Sequence, residues 1–374
     1  MTTETLMKKC LWAVASLFLL LPLLANASPG VQYTGAQYSL LQAELTRYNE
    51  IAENGGWTKI NATRKFYQKD LNDPVVTQIK KRLRASGHFN SNDNSTLFTS
   101  ELADAVKKVQ RQYGFEPNGV VDAALLKQLN VPVQGRIAQL MVNMERALEL
   151  PVSNSSTRLV ANIPEFKLHV YDGERHAFDM AIVVGTQSNK TETFNDEMTQ
   201  IVFSPYWNVP PSIVKGELLP AMRRDRGYLR RNGYEQIGTE GGLPVIRQKP
   251  GAGNALGKVK FLFPNSHAIY FHDTPAKSLF ALRKRTFSHG CIRLAEPQKL
   301  AEYLLRNNPE WTPAKIQAAM NAGKEQFVKL EAPVAISITY FTAFVDENGQ
   351  LNFREDVYGH DKKMAGAIVK NKRS

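Results

Sequence analysis

The chain is 374 residues long, enough for two or three domains, and its 43% apolar content can supply ordinary cores. Lysine and arginine outnumber aspartate and glutamate by 47 to 35, a net charge of +12 that points to an acidic partner or surface. Its two cysteines are far apart, and the first sits inside a segment with the marks of an export signal, which argues against nucleic acid as that partner.

That segment comes first. Lys8 and Lys9 precede the apolar run "CLWAVASLFLLLPLL", and small residues, "ANA", stand before Ser28. A basic start, a short apolar stretch and small residues before a cut describe a secretory signal over 1–27, with a retained anchor as the alternative. The apolar run is shorter than the ~20 residues that span a bilayer. Cleavage after Ala27 removes Cys10 and leaves Cys291 as the single thiol, in an oxidising compartment where unpaired thiols are unusual. Such a thiol is a candidate reactive group, and a small buried hydrophobe is the other reading.

A helical scaffold is expected over 28–68, where Leu41, Leu45, Tyr48 and Ala52 recur at helical spacing before Gly55-Gly56 stops the pattern. Three short helices follow in a small domain over 69–131. "DPVVTQIKKRLRASG" presents Val76, Ile79 and Leu83 and stops at Gly87; "SELADAVKKVQRQYG" presents Leu102, Val106 and Val109 and stops at Gly114; Asp122 caps the third. A linking helix over 132–157 carries Ile137, Leu140, Met141, Met144 and Leu148 as a packing stripe, and Pro151 with "SNSS" marks a boundary.

From Arg158 the pattern turns to strands: "RLVANI", "FKLHVY" with Asp172-Gly173 as a hairpin turn, "AFDMAIVVG", "TQIVFSP", "KVKFLF", "AIYFHD" and "VAISITYFTAFV". Asn348-Gly349 turns the last of these into "QLNFR". A mostly-β domain over 158–345 is interrupted at 212–250 by a basic, helix-prone insertion, since "KGELLPAMRRDRGYLRRNGYEQI" does not read as sheet. "EPQKLAEYLLRNN" and "TPAKIQAAMNAG" read as two later helices, and 346–374 as a hairpin strand with a loosely ordered basic tail. The fold class is α+β and multidomain. The arginines of the insertion, Arg223, Arg224, Arg226, Arg230 and Arg231, read as a solvated face, with contact to anionic glycan–peptide as the alternative.

"FHDT" followed by "FSHGCIRL" carries the chemistry. A thiol needs an activating base, and His272, at the end of an apolar strand, can be brought beside Cys291 by an adjacent strand. Gly290 allows a substrate carbonyl to approach the backbone, and amides near Gly290 and Cys291 are candidates for an oxyanion hole. A zinc set of His267, His272, His289 and Cys291 fits no common ligand spacing.

The histidine, the spacing and the Ser288-His289-Gly290-Cys291 run resemble the active-site signature of the L,D-transpeptidase catalytic domain. The three short helices resemble a peptidoglycan-binding module, and "RIAQLMVNMERALELP", "YWNVPPSI" and the insertion resemble parts of the large multidomain Gram-negative members. The resemblance implies a β-sandwich-like catalytic domain with a capping insertion. It implies Cys291 as nucleophile, His272 as general base, and His289 lining the site to stabilise the oxyanion or orient the thiol. Asp273 would fix the imidazole through its carbonyl or its carboxylate. Ser288, Arg293, Tyr206 and Trp207 are candidate substrate contacts; many smaller members carry asparagine where Arg293 stands. The implied activity is periplasmic 3→3 crosslinking of peptidoglycan stems with release of D-Ala and with no metal or organic cofactor. A related thiol hydrolase and a non-catalytic wall-binding protein are the alternatives.

Overall fold

The computed structural model describes residues 33, 35–151 and 157–371; the signal expected at 1–27 and the boundary around 152–156 lie outside the described residues. No helix among them is long and apolar enough to cross a membrane.

The N-terminal half is helical, and its ends are set by local chemistry. Helix α1 (Ala36–Glu53) buries Leu41 and Tyr48 and stops where Gly55 and Gly56 take positive φ. Strand β1 (Phe66–Tyr67) pairs with β2 (Val121–Asp122), a short ladder the helical pattern does not announce. Helix α2 (Pro74–Ala85) starts at Asp73, whose carboxylate accepts from the Val75 amide at 2.9 Å. Helix α3 (Ser100–Gln112) is capped by Thr99, and α4 (Ala123–Leu129) by Asp122, which accepts from the Leu125 amide at 2.8 Å. In α5 (Val133–Leu148), Leu140 and Met144 are buried, but Leu148 is 64% exposed and leaves the expected stripe, because the helix ends there.

The second half is built on one large nine-stranded sheet. Its strands are β3 (Thr157–Asn162), β4 (Lys167–Asp172), β5 (Arg175–Gly185), β6 (Phe194–Phe203), β10 (Val259–Leu262), β11 (Phe271–His272), β12 (Thr286–Ser288), β13 (Ile292–Leu294) and β14 (Gln326–Thr339). They run β12-β5-β13-β11-β10-β6-β14-β3-β4, and β4 pairs again with β5. The expected sandwich therefore closes into a ring. Alternation along each strand sends Leu168, Val170, Ile182, Val184, Phe261, Phe271, Ile292 and Leu294 into one interior. Helices α9 (Pro297–Leu304) and α10 (Pro313–Met320) pack Leu300 and Ile316 onto the same core.

Three regions depart from the sequence reading. The insertion is half helix and half sheet. After β7 (Trp207–Asn208) come α6 (Pro211–Ile213), a π-turn (Val214–Leu218), α7 (Leu219–Arg224) and α8 (Tyr228–Arg231). Then β8 (Tyr234–Glu240) and β9 (Leu243–Gln248) form a hairpin that pairs with β7. Gly241 and Gly242 at positive φ make the tight turn that charged composition alone conceals. The run "VAISITYFTAFV" is not one strand: β14 ends at Thr339, and β15 (Ala343–Val345) leaves the large sheet to pair with β16 (Leu351–Phe353). That hairpin buries Ala343, Val345, Leu351 and Phe353 in the core of the N-terminal helices, so the three-helix unit shares its core with the chain's C-terminal part. The basic tail, finally, is helical: α11 (His360–Asn371) is held by Asp361, which binds Arg146 at 2.7 Å and the Thr342 hydroxyl at 2.6 Å.

Candidate active site

Strands β11 and β13 are parallel, with Phe271 opposite Ile292 and His272 opposite Arg293. Phe271 and Ile292 point into the core, so the residues between them point outward. Tyr270, His272, Cys291 and Arg293 thus share the outer face of two adjacent strands. This pairing unites two motif halves that lie nineteen residues apart in the chain.

His272 is buried, and its Nδ1 donates to the Asp273 carbonyl at 2.5 Å, which leaves Nε2 as the free base position. The carbonyl, not the carboxylate, fixes the ring: the Asp273 carboxylate accepts from Lys277 Nζ at 2.7 Å and from the Lys258 amide at 2.9 Å. Burial, with the Arg293 guanidinium nearby, pushes the imidazole down to about 3. Cys291 is partly exposed as a residue, yet its sulfur is hemmed in, and burial raises the thiol; a hydrogen bond with Tyr270 and the charge of Arg293 pull the other way. The Sγ reaches the Ala268 carbonyl at 3.6 Å. Thiol and imidazole therefore both rest neutral, and the free protein does not favour the thiolate–imidazolium pair that the motif suggests.

The loop before Cys291 is built by hydrogen bonds. Ser288 is buried; its hydroxyl donates to the Cys291 carbonyl at 2.5 Å and accepts from the Gly290 amide at 3.1 Å. Two expectations change accordingly. Ser288 is spent on the loop, away from a substrate surface, and the Gly290 amide is already committed. The Cys291 amide has no partner among the described residues and is the donor left for an oxyanion. The Gly290 carbonyl accepts from Thr191 Oγ1 at 2.7 Å, and φ of +120° requires glycine there.

The insertion covers this face. His289 is about half exposed and faces Glu217 of the π-turn, with 2.8 Å between Nε2 and Oε1, so it meets the insertion and makes no hydrogen bond with the thiol. Trp207 packs on the insertion's own core of Val209, Ile213, Val214, Leu218 and Ile246. The Tyr206 ring lies under the Arg247 guanidinium at 4.2 Å, at the neck of the insertion. Arg293 is half-buried, and its Nε has no hydrogen-bond partner among the described residues. His267 stacks on Phe194 and His289 turns to Glu217.

Tyr270 and Glu217 are the participants that motif reading misses. Tyr270 stands two residues before His272 on a strand, so period-two alternation alone places it on the histidine's face. Nothing in the local sequence around Glu217 pairs it with His289, because that contact is made across tertiary structure.

Residues 156–316 match the family described as "L,D-transpeptidase catalytic domain", and residues 72–129 match "Putative peptidoglycan binding domain". A protein of Haemophilus influenzae named "Putative L,D-transpeptidase" is 28% identical over 241 residues, 60% of this chain and 48% of the relative. The chain thus spans about half the length of that relative. Among solved structures, an L,D-transpeptidase from Stackebrandtia nassauensis aligns over 63% of this chain and 88% of its own at 11% identity, with a TM-score of 0.28. One from Mycobacterium smegmatis aligns over 48% and 58% at 14% identity, with a TM-score of 0.26.

Proposed function

We propose, from the match of residues 156–316 to the L,D-transpeptidase catalytic-domain family, that the chain is a cell-wall L,D-transpeptidase that forms 3→3 crosslinks through a Cys291 thioester. The observation that carries this reading is the parallel β11–β13 pairing, which sets a buried neutral imidazole and a thiol on one outer face. As the donor carbonyl arrives, the Cys291 proton passes to His272 Nε2 while sulfur bonds to the carbonyl carbon. The carbonyl lies between the diaminoacid at stem position three and the terminal D-Ala. The Cys291 amide supports the oxyanion, with Arg293 close enough to add charge. The carbon–nitrogen bond then breaks, the D-Ala nitrogen takes the proton back from His272, and a thioester remains. A neutral side-chain amine from a second stem attacks it and gives a proton to His272; the carbon–sulfur bond breaks, and the departing Cys291 thiolate takes that proton back from His272. His289 and Glu217 hold the insertion over the bound donor, and Tyr206 and Trp207 line its edge. The residues matching a peptidoglycan-binding family support a wall-located role for the helical module, in the periplasm once the signal is removed. The strained amide of a carbapenem presents the same carbonyl to the same thiol and should acylate Cys291.

Product analysis tests this. Incubated with disaccharide-tetrapeptide, the full chain should release D-Ala and yield a crosslinked dimer, and Cys291→Ser should yield neither. Tripeptide without dimer would make the protein a hydrolase, and dimer formed at the wild-type rate by Cys291→Ser would remove the nucleophile.

A further inference from the structure

A second cluster of ligand-forming side chains lies at the hairpin between β4 and β5, on the outer side of the ring. His169 stands directly opposite Asp179, and a register shift after Val170 sets Tyr171 opposite His176. The bulge turns His176 back toward the other two residues, so His169 Nδ1, His176 Nε2 and Asp179 Oδ1 lie within 4.8 Å of one another. Asp179 Oδ1 is 2.7 Å from His169 Nδ1 and 2.6 Å from His176 Nε2. His169 is 1% exposed, and its Nδ1, although close to Asp179, makes no aligned hydrogen bond. A buried ring nitrogen thus faces a carboxylate oxygen at 2.7 Å without an aligned hydrogen bond, and a second imidazole meets the same oxygen.

From this we propose a zinc-type divalent cation site formed by His169 Nδ1, His176 Nε2 and Asp179 Oδ1, with solvent completing the coordination. The surroundings match what such an ion needs. Metal-bound imidazoles are oriented by a carboxylate on their other nitrogen, and His169 Nε2 meets Glu165 Oε2 at 3.0 Å. Glu165 is itself held by the Tyr33 hydroxyl at 2.9 Å, with Arg354 at 3.4 Å from its other oxygen. Lys167 takes Asp179 Oδ2 at 3.2 Å, leaving Oδ1 turned to the two rings. Tetrahedral zinc separates its ligand atoms by roughly 3.3 Å, so the oxygen must retreat by about 0.6 Å from each ring. The Asp179 side chain is 22% exposed, which provides both the room and the entry path. Bound there, the ion ties β4 to β5 where the ring closes, beside the small core of Tyr33, Tyr171, Phe341 and Phe344.

The test uses residues 28–374, the chain expected after signal removal, carrying Cys291→Ser, so that no thiol competes for metal. After chelator treatment it is titrated with Zn²⁺ by calorimetry and with Co²⁺ by visible absorption. The expected result is one ion per chain, a higher melting temperature with Zn²⁺, and loss of both effects in folded His176→Gln and Asp179→Asn. X-ray absorption of the zinc-loaded Cys291→Ser protein should show two imidazoles and no sulfur, which decides the matter even if the variants do not fold. No ion retained by the folded protein, unchanged binding in both variants, or a first shell of oxygen alone would overturn the site.

Discussion

His272 and Cys291 are neutral for the same reason: each is packed where a charge would lose its water. The pH behaviour follows. With the imidazole held down to about 3, the base form persists far below the ordinary histidine value of 6.5. The acid limb of kcat/KM on a soluble tetrapeptide fragment should therefore fall well below pH 6, and a limb near 6.5 would contradict the assigned environment. Iodoacetamide should alkylate Cys291 slowly at pH 7 and faster as pH rises, because the thiol stays protonated. The same burial bears on stability. Between about pH 6.5 and about pH 3 the unfolded chain binds a proton at this residue that the folded chain does not. Stability falls as pH drops through that window, by up to about 1.4 kcal/mol per unit from this group. Denaturant titrations of His272→Gln should show a shallower acid loss than wild type.

At the scale of elements, the insertion is a small unit with its own core, joined to the site by exposed or half-exposed contacts. The His289–Glu217 pair is about half exposed on both sides and adds little stability. The fully packed Ile246 matters more to the insertion. Ile246→Ala should cost about 2–4 kcal/mol locally and speed hydrogen exchange across 212–250 while the large sheet stays protected. If closure keeps water from the thioester, the same variant should shorten the lifetime of a carbapenem adduct on Cys291, read by intact mass; an unchanged lifetime would mean that the insertion does not shield the thioester. This element also marks where sequence reading reached and where it stopped. Helices such as α2 were legible because apolar spacing and a terminal glycine, Gly87, agree locally. His272 and Cys291 were legible because their residue types and spacing are specific. The β8–β9 hairpin was not, because polar strands on a small sheet lack the alternation that marks a buried face. The resting protonation of the thiol was not either, because burial belongs to the assembled structure.

On the scale of the whole molecule, the C-terminal segment ties the helical half to the large sheet. Gln37 Nε2 donates to the Val345 carbonyl at 2.7 Å, Arg354 donates to the Gln112 carbonyl at 2.7 Å, and Phe353 packs against Tyr48 and Tyr113. The three-helix unit is therefore not a detachable module, and its deletion would expose the hairpin it covers. Phe353→Ala should cost about 3–5 kcal/mol and lower sacculus binding and turnover together, as read by melting temperature and pull-down on purified sacculi. Loss of binding alone would indicate an independent module. Asp361→Ala, which leaves buried Arg146 without its carboxylate, should cost about 3 kcal/mol.

The proposed activity rests on one covalent event, and intact-mass spectrometry of the full chain mixed with excess disaccharide-tetrapeptide tests it most directly. Quenched in acid early in the reaction, the protein should gain the mass of the donor less one D-Ala. Peptide mapping should place that mass on Cys291, and hydroxylamine should remove it as expected of a thioester. A folded, active protein that turns over donor with no such species, or that carries it on any other residue, would contradict the account.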